Sequence, residues 1–358
     1  MTSRDFEVDL RSLGEKGFLS GLLGDLFVDP RLIGGFGHDA SVIAMPDSPF
    51  DLIQKIDRAS RPVALSLGLA GYETWGRMAV TANCSDILAS GGRPLSVMIA
   101  IMVPGEETAA NVRDIVFGAA AECRRHGVVF AGGDTKEAAD AHVVGTAIGT
   151  VGADRFLPRN TARPGDRVFC AGRVGGFAGS YFLIRDVHQG EARPEAEGYI
   201  EYLSTPTAQW RTAGVVNAGG YARCGMDASD GLLDVLQTFA AAGVRIEIEL
   251  DAVPYHTYAV ECAKATSIPL TQLMFGGGDW NILYCVPDSR ADELVRVAEA
   301  EGLPLFQIGR VTEGEGVVAV DRDGVEFALR GVVNEHFKNR IEDAGSFMDH
   351  IEKDNFLV

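Results

Sequence analysis

The sequence predicts an α/β protein built as two domains. Three observations carry that reading. Strand-like and helix-like periodicities alternate along most of the chain. Its 358 residues exceed what one hydrophobic core usually organises. A stretch rich in Pro, Arg and Asp, residues 155–166, breaks the periodicity near the middle and opens a fresh strand. The expected divisions are an N-terminal α/β domain over residues 1–154, a C-terminal α/β domain over 155–340 and a charged, peripheral tail over 341–358.

Taken in order, Phe18 to Phe27 reads as one amphipathic helix, stopped at Asp29-Pro30 because the residue before a proline resists the helical conformation. Gly34 to Val42 reads as a flexible glycine loop that delivers Asp39 to a short strand. Val63 to Leu69 is expected as a strand, Glu73 to Ser90 as a helix, and Leu95 to Val103, a nearly unbroken apolar run, as a strand buried on both faces. Between Thr108 and His126, apolar residues Val112, Ile115, Val116, Ala119, Ala120 and Cys123 recur at helical spacing, and Gly127 supplies the stop. Strands over Val128 to Ala131 and His142 to Val151 complete a layer with one face of its sheet covered.

Beyond the boundary, Arg167 to Ala171 is a strand, and the glycine-rich turn Gly172 to Gly179 leads into a helix reaching about Val187. Residues 188–200 are polar and expected as a surface loop. Leu232 to Ala242 and Ala291 to Glu301 read as helices, and Val244 to Leu250 and Asn281 to Val286 as strands. Val317 to Val320 and Val325 to Leu329 flank Asp321-Arg322-Asp323-Gly324, a hairpin signature.

The net charge of -18, from 50 acidic against 32 basic residues, argues against a nucleic-acid backbone as partner, which Lys and Arg would have to neutralise. A nucleotide is still open to an acidic protein when a divalent ion stands between carboxylate and phosphate. The six cysteines are widely spaced, with no metal-binding pattern, and read as small core residues. The N-terminus lacks a basic-then-apolar signal, and the longest apolar run, around Val97 to Val103, is far too short for a bilayer. The expectation is a cytoplasmic protein with no membrane contact.

Two stretches concentrate the chemistry, Asn83-Cys84-Ser85-Asp86-Ile87-Leu88 and Asp227-Ala228-Ser229-Asp230-Gly231-Leu232. Each sets a carboxylate beside a serine at the start of an apolar run, and they hint at two related halves. Gly132-Gly133-Asp134 and Gly276-Gly277-Gly278-Asp279 add two more carboxylates behind glycines, and Asp39 another. Singly, such an Asp is a helix cap or a turn former. Capping does not call for six of them, whereas a polyphosphate with magnesium does, because magnesium in nucleotide sites is held by a few carboxylates, water and phosphate oxygens. The Gly172 to Gly179 turn offers backbone N–H groups to phosphate, with close helix packing as the equal alternative. Arg159 is a candidate for neutralising phosphate oxygens, His38 a minor candidate base, and Trp280 either a stacking surface or a core residue.

At these motifs the chain resembles the thiamine-monophosphate kinase family, within the wider superfamily of aminoimidazole ribonucleotide synthetase, selenophosphate synthetase and the hydrogenase-maturation carbamoyl dehydratase. The resemblance runs in order from Gly37-His38-Asp39-Ala40-Ser41-Val42 through the stretches above to Glu335-His336-Phe337. It implies an ATP-dependent enzyme with its cleft between two α/β domains, usually in a homodimer. Asp39, Asp86, Asp134, Asp227 and Asp230 are implied as magnesium ligands, Asp134 and Asp230 as catalytic, and Gly133, Asp134, Arg159 and Ser229 as ATP contacts.

The chain also departs from the family. The Ser/Thr-Asp turn before the first helix corresponds to Ser66-Leu67-Gly68, without the Asp. The loop carrying a substrate-binding His is shortened to Ala70-Gly71-Tyr72, a substrate-contacting Glu is replaced by Gly278, and an aromatic residue is lost around Val332 and Val333. The expectation is therefore a magnesium- and ATP-dependent phosphotransferase whose small-molecule acceptor is not thiamine monophosphate. The alternatives are an ATP-dependent synthetase activating an amide or carbamoyl oxygen for ring closure or dehydration, and a degenerate, non-catalytic nucleotide-binding protein. Selenophosphate-type chemistry is disfavoured because the first cysteine is Cys84, and the dehydratase because no cysteine stands at the C-terminus.

Overall fold

The structure, a computed structural model, describes residues 9–329, 337, 344–353 and 357. Two sheets organise these residues. The first has six strands in the order β1-β2-β3-β6-β4-β5, formed by β1 (Leu32–Ile33), β2 (Ser41–Ile43), β3 (Phe50–Ala59), β4 (Arg93–Val103), β5 (Val129–Glu137) and β6 (His142–Gly152). Helices α1 (Leu10–Gly24), α2 (Val63–Ser66), α3 (Glu73–Ala89) and α4 (Ala109–Arg125) complete this half. Helix α1 starts earlier than its apolar stripe and is kinked at Gly14, which has φ 70° and ψ 168°. The segment from Val63, expected as a strand, is a short helix instead, because its apolar run is buried end-on as a single turn behind Pro62, a residue suited to helix starts.

Alternation along β3, β4 and β6 assigns their two faces. Ile53, Val97, Ile99, Ile101, Val143 and Ala147 are buried with α3 and α4 in one core. The opposite face is open, with Ile56, Met98 and Ile148 exposed. Strand β4 is thus covered on one side only, and its unbroken apolar run reflects an outer face that is itself apolar.

The second sheet has seven strands in the order β13-β12-β9-β11-β7-β10-β8. They are β7 (Asp166–Ala171), β8 (Cys224–Asp227), β9 (Arg245–Glu249), β10 (Ile282–Pro287), β11 (Leu305–Thr312), β12 (Gly316–Val320) and β13 (Glu326–Ala328). Its helices are α5 (Gly176–Phe182), α6 (Glu197–Ser204), α7 (Trp210–Gly219), α8 (Leu232–Ala240), α9 (Thr257–Ala265), α10 (Leu270–Leu273), α11 (Asp288–Glu301) and α12 (Ala344–Lys353). Helix α6 replaces the end of the expected surface loop, since Leu203 and Ala196 are buried there. Helix α12 corrects the expectation of a peripheral tail: Met348 and Ile351 lie in the core of this half, and Arg185 pairs with Glu352 at 2.9 Å. Residues Val332, Val333, Glu335 and His336 lie outside the described residues.

Helix α3 joins the halves. One side packs on the first sheet and α4, and the other meets the second half through Leu88 and Ala89, which share a core with Phe169, Ile282 and Tyr284. Thr81 Oγ1 donates to the Pro206 carbonyl at 3.0 Å, and Asn217 Nδ2 donates to the Leu88 carbonyl at 2.9 Å. The α3–α4 crossing depends on glycine. A Cβ on Gly76 would overlap the Ile115 carbonyl, and one on Gly118 the Glu73 carbonyl.

A Gly76→Ala substitution therefore has to push two helices apart at a backbone contact. It is expected to cost roughly 1–3 kcal/mol, read as a lowered denaturation midpoint with an unchanged urea slope.

Candidate active site

Three carboxylates meet in the buried space between the sheets. Asp39 ends the glycine loop before β2, Asp86 sits in the last turns of α3, and Asp227 closes β8. They are 9%, 5% and 4% exposed. Asp86 therefore arrives from the interior of the helix expected over Glu73 to Ser90. Asn83, one turn earlier, donates its Nδ2 to the Ala79 carbonyl and serves the helix itself.

Two cations enter with them. Arg159 Nη1 donates to Asp39 Oδ1 at 3.0 Å, and Lys55 Nζ lies 2.7 Å from Asp86 Oδ2 and 3.8 Å from Asp57 Oδ2. Lys55 and Asp57 follow Ile53 on the core-facing side of β3. Gly68 itself ends the α2 turn with φ 71° and open space where a side chain would be. Asp230, half-buried, and Asp234, in the first turn of α8, add negative charge to Asp227 and Asp39 respectively.

Burial is the main force on these groups. It raises the pKa of Asp39, Asp86 and Asp227, the last to about 7, and the carboxylates raise one another further. Lys55 and Arg159 act in the opposite direction. Burial also works against the Lys55 charge, but Asp86, Asp57 and Asp39 outweigh it and hold the ammonium well above its ordinary value.

Asp39 Oδ2 is buried without a hydrogen-bond partner, and Asp227 Oδ2 has none within hydrogen-bond distance, although the Ser85 side chain stands near enough to act against the rise of the Asp227 pKa. An unpartnered buried carboxylate oxygen is costly, and a cation is what would satisfy it. No three His, Cys, Asp or Glu side chains among the described residues already stand close enough to hold a metal ion. The arrangement thus fits a hydrated ion completed by ligand oxygens, not a closed protein cage.

The remaining expected residues divide between this group and its surroundings. Asp134 is on the edge strand β5, its side chain 64% exposed, with Lys136 at 3.7 Å, and lies outside the buried group. Gly132, at φ 98°, and Gly133, pressed against the Ile99 carbonyl, accommodate the register shift between β4 and β5. Ser229 Oγ donates to Asp227 Oδ1 at 3.2 Å, and the Ser229 carbonyl accepts from Gly278 N at 3.0 Å, so it orders the turn. His38 Nε2 meets the Gly34 carbonyl at 3.1 Å, and burial lowers its pKa. Trp280 is a buried residue at φ 53°.

Asp279 corrects the reading of the glycine-rich turn. Its carboxylate accepts from Gly175 N and Phe177 N, both at 2.6 Å, and from Tyr202 Oη at 2.9 Å. The anion held by the N-terminus of α5 is this side chain. Burial raises its pKa to about 6, against those hydrogen bonds.

The buried group makes stability depend on pH. A carboxylate whose folded pKa lies above 3.8 keeps its proton longer in the folded chain. Its favourable contribution is complete below about pH 4 and is lost as pH rises to about 7. In EDTA, Asp227→Asn is expected to flatten this decline between pH 5 and 8 and to add about 1–3 kcal/mol at pH 8, measured by thermal melts.

Comparison with known proteins agrees with this architecture. Residues 37–151 match the AIR synthase related protein, N-terminal domain, and residues 163–322 the corresponding C-terminal domain. The chain is 31% identical to the thiamine-monophosphate kinase of Aquifex aeolicus over 71% of its own length and 79% of that protein. It is 28% identical to the Methanospirillum hungatei thiamine-monophosphate kinase over 83% and 92%. Its fold superposes on AaThiL complexed with AMPPCP and TMP with a TM-score of 0.77, at 24% identity, covering 92% of this chain and 99% of that one. With both domains matched in order, the chain belongs to the AIR synthase related protein family, and thiamine-monophosphate kinases are among its relatives.

Proposed function

We propose that this protein is an ATP-dependent phosphotransferase of the thiamine-monophosphate kinase kind, acting on a small-molecule acceptor in the space between its two sheets. The observation that carries the reading is the convergence of Asp39, Asp86 and Asp227, from elements of both halves, with two unpartnered oxygens buried among them. The relative crystallised with AMPPCP supports ATP as the donor.

Asp39 and Asp227 are the residues that would hold magnesium, with Asp86 and, from the turn, Asp230 beside them. The ion would neutralise phosphate oxygens during transfer. Arg159 is positioned by Asp39 and can turn a second guanidinium nitrogen toward phosphate, and the Asp227 turn is kept in shape by Ser229. Gly133 and Asp134 become nucleotide contacts only where the ligand extends from the buried group to β5.

The acceptor is not thiamine monophosphate in this reading. At Gly278, a Cβ would lie 2.6 Å from the Phe177 ring at φ 83°, so the space of a longer polar residue is filled by an aromatic side chain. A site lacking a polar contact discriminates strongly against the ligand that needs it.

The open apolar face of the first sheet supports a homodimer. Ile56 and Met98 both stand beside Thr146, and Ile148 lies two residues along β6, a patch that a second copy would cover. Among the described residues no helix is long and apolar enough to cross a membrane. A cytoplasmic location and small-molecule partners, with no nucleic acid, fit the net charge of -18.

ATP consumption screened across small metabolites, with mass spectrometry of products, tests the activity. Asp86→Asn and Asp227→Asn are expected to lower kcat at least about 100-fold, whereas Asp134→Ala weakens magnesium-nucleotide binding less than Asp227→Asn does. Saturable turnover of thiamine monophosphate at micromolar concentrations would refute the acceptor assignment, and no ATP turnover with any acceptor would refute the phosphotransferase. Light scattering tests the interface: Ile56→Asp is expected to convert dimer to monomer, with each monomer retaining its fold.

A further inference from the structure

Among the described residues Lys55 is the one lysine within ion-pair distance of Asp86, and the elements around it leave it little freedom. It lies on β3, which is paired to β6 along its whole length, with Lys55 opposite Ala147. Its ammonium is 2.7 Å from Asp86 Oδ2 and 3.8 Å from Asp57 Oδ2, and its charge also reaches Asp39 and Asp227. Arg159 is the second fixed cation, on Asp39 at 3.0 Å. Asp39, Asp57, Asp86 and Asp227 outnumber these two cations, before the charge that Asp230 and Asp234 add is counted.

The unpartnered oxygens are distributed unevenly. Asp39 and Asp227, both more than nine-tenths buried, each keep one oxygen without a partner, whereas Asp86 gives an oxygen to the ammonium. Magnesium requires near-octahedral oxygen ligation at short distance and would have to displace the lysine to reach that Asp86 oxygen. We propose that the Lys55 ammonium is a built-in cation that replaces a divalent ion at Asp86 and leaves this chain a single divalent-ion position, between Asp39 and Asp227. The proposal rests on reading this group as the magnesium-nucleotide site. A lysine held there is also a point charge for a phosphate group, so part of the neutralisation of phosphate is supplied by the chain itself.

The test counts metal without nucleotide, so that it stands apart from activity. Mn2+ bound to the full-length protein is measured by electron paramagnetic resonance for the wild type, Lys55→Met and Lys55→Arg. One ion per chain is expected in the wild type and in Lys55→Arg, and one more in Lys55→Met. In EDTA, Lys55→Met should melt roughly 5–10 °C below the wild type, because a partner is removed from a buried charge, and excess Mn2+ should restore most of that loss. Equal counts in wild type and Lys55→Met, two ions in the wild type, or a melting loss indifferent to Mn2+ would overturn the proposal. So would a Lys55→Met chain that stays unfolded in excess Mn2+ while Lys55→Arg folds. ATP binding is measured separately by calorimetry: a wild type that counts as expected but binds no ATP removes the phosphotransferase reading and leaves the Lys55 assignment in place.

Discussion

Helix α3 has almost no side facing water, and the rest of the molecule is arranged around that constraint. From Thr74 to Ala89 nearly every residue is buried, against the first sheet and α4 on one side and against the second half on the other. A helix so placed cannot choose its residues by amphipathic stripe alone. Gly76 admits α4, the Ala89 carbonyl is approached by Gly225 of β8, and Thr81 donates to Pro206 and Asn217 to Leu88 across the halves. The same enclosure takes Asp86 out of water and fixes its height relative to Asp227.

Enclosing acids is expensive unless cations accompany them. The chain supplies Lys55 and Arg159, and the carboxylates around them still outnumber the cations. The excess of acid in a protein of net charge -18 is thus partly internal. Attraction is not spread over a basic surface but concentrated where carboxylates outnumber the cations beside them.

Much of this was legible in the sequence. The alternation of strands and helices, the break near residues 155–166 and the hairpin at Asp321 to Gly324 correspond to observed elements, because periodicity reports burial directly. The glycine-flanked acids separated into kinds that local sequence does not distinguish. Asp39 and Asp227 lie in the buried group, Asp279 caps a helix, and Asp134 follows glycines required by a register shift on an edge strand. Lys55 and Asp57 passed unnoticed, since neither stands beside a glycine. The available signal was two charges on the face of β3 that also carries Ile53 and Ala59. Helix α12 is not legible in the sequence because charged residues interrupt its apolar pattern, although Met348 and Ile351 reach the core.

The order of strands in the second sheet also governs when this protein can form. Strand β7 lies inside this sheet, yet both neighbours, β10 and β11, come from more than 100 residues further along the chain. The Asp279 carboxylate that completes the Gly175 turn is 104 residues away as well. Closing loops of that length before their contacts are rewarded makes for a slow, late-forming unit. The first sheet, finished by residue 152, can assemble while the ribosome is still making the second. During that interval α3 holds one face against its own sheet and presents Leu88 and Ala89 to solvent, which makes the half-made chain, more than the finished one, the form that chaperones have to protect.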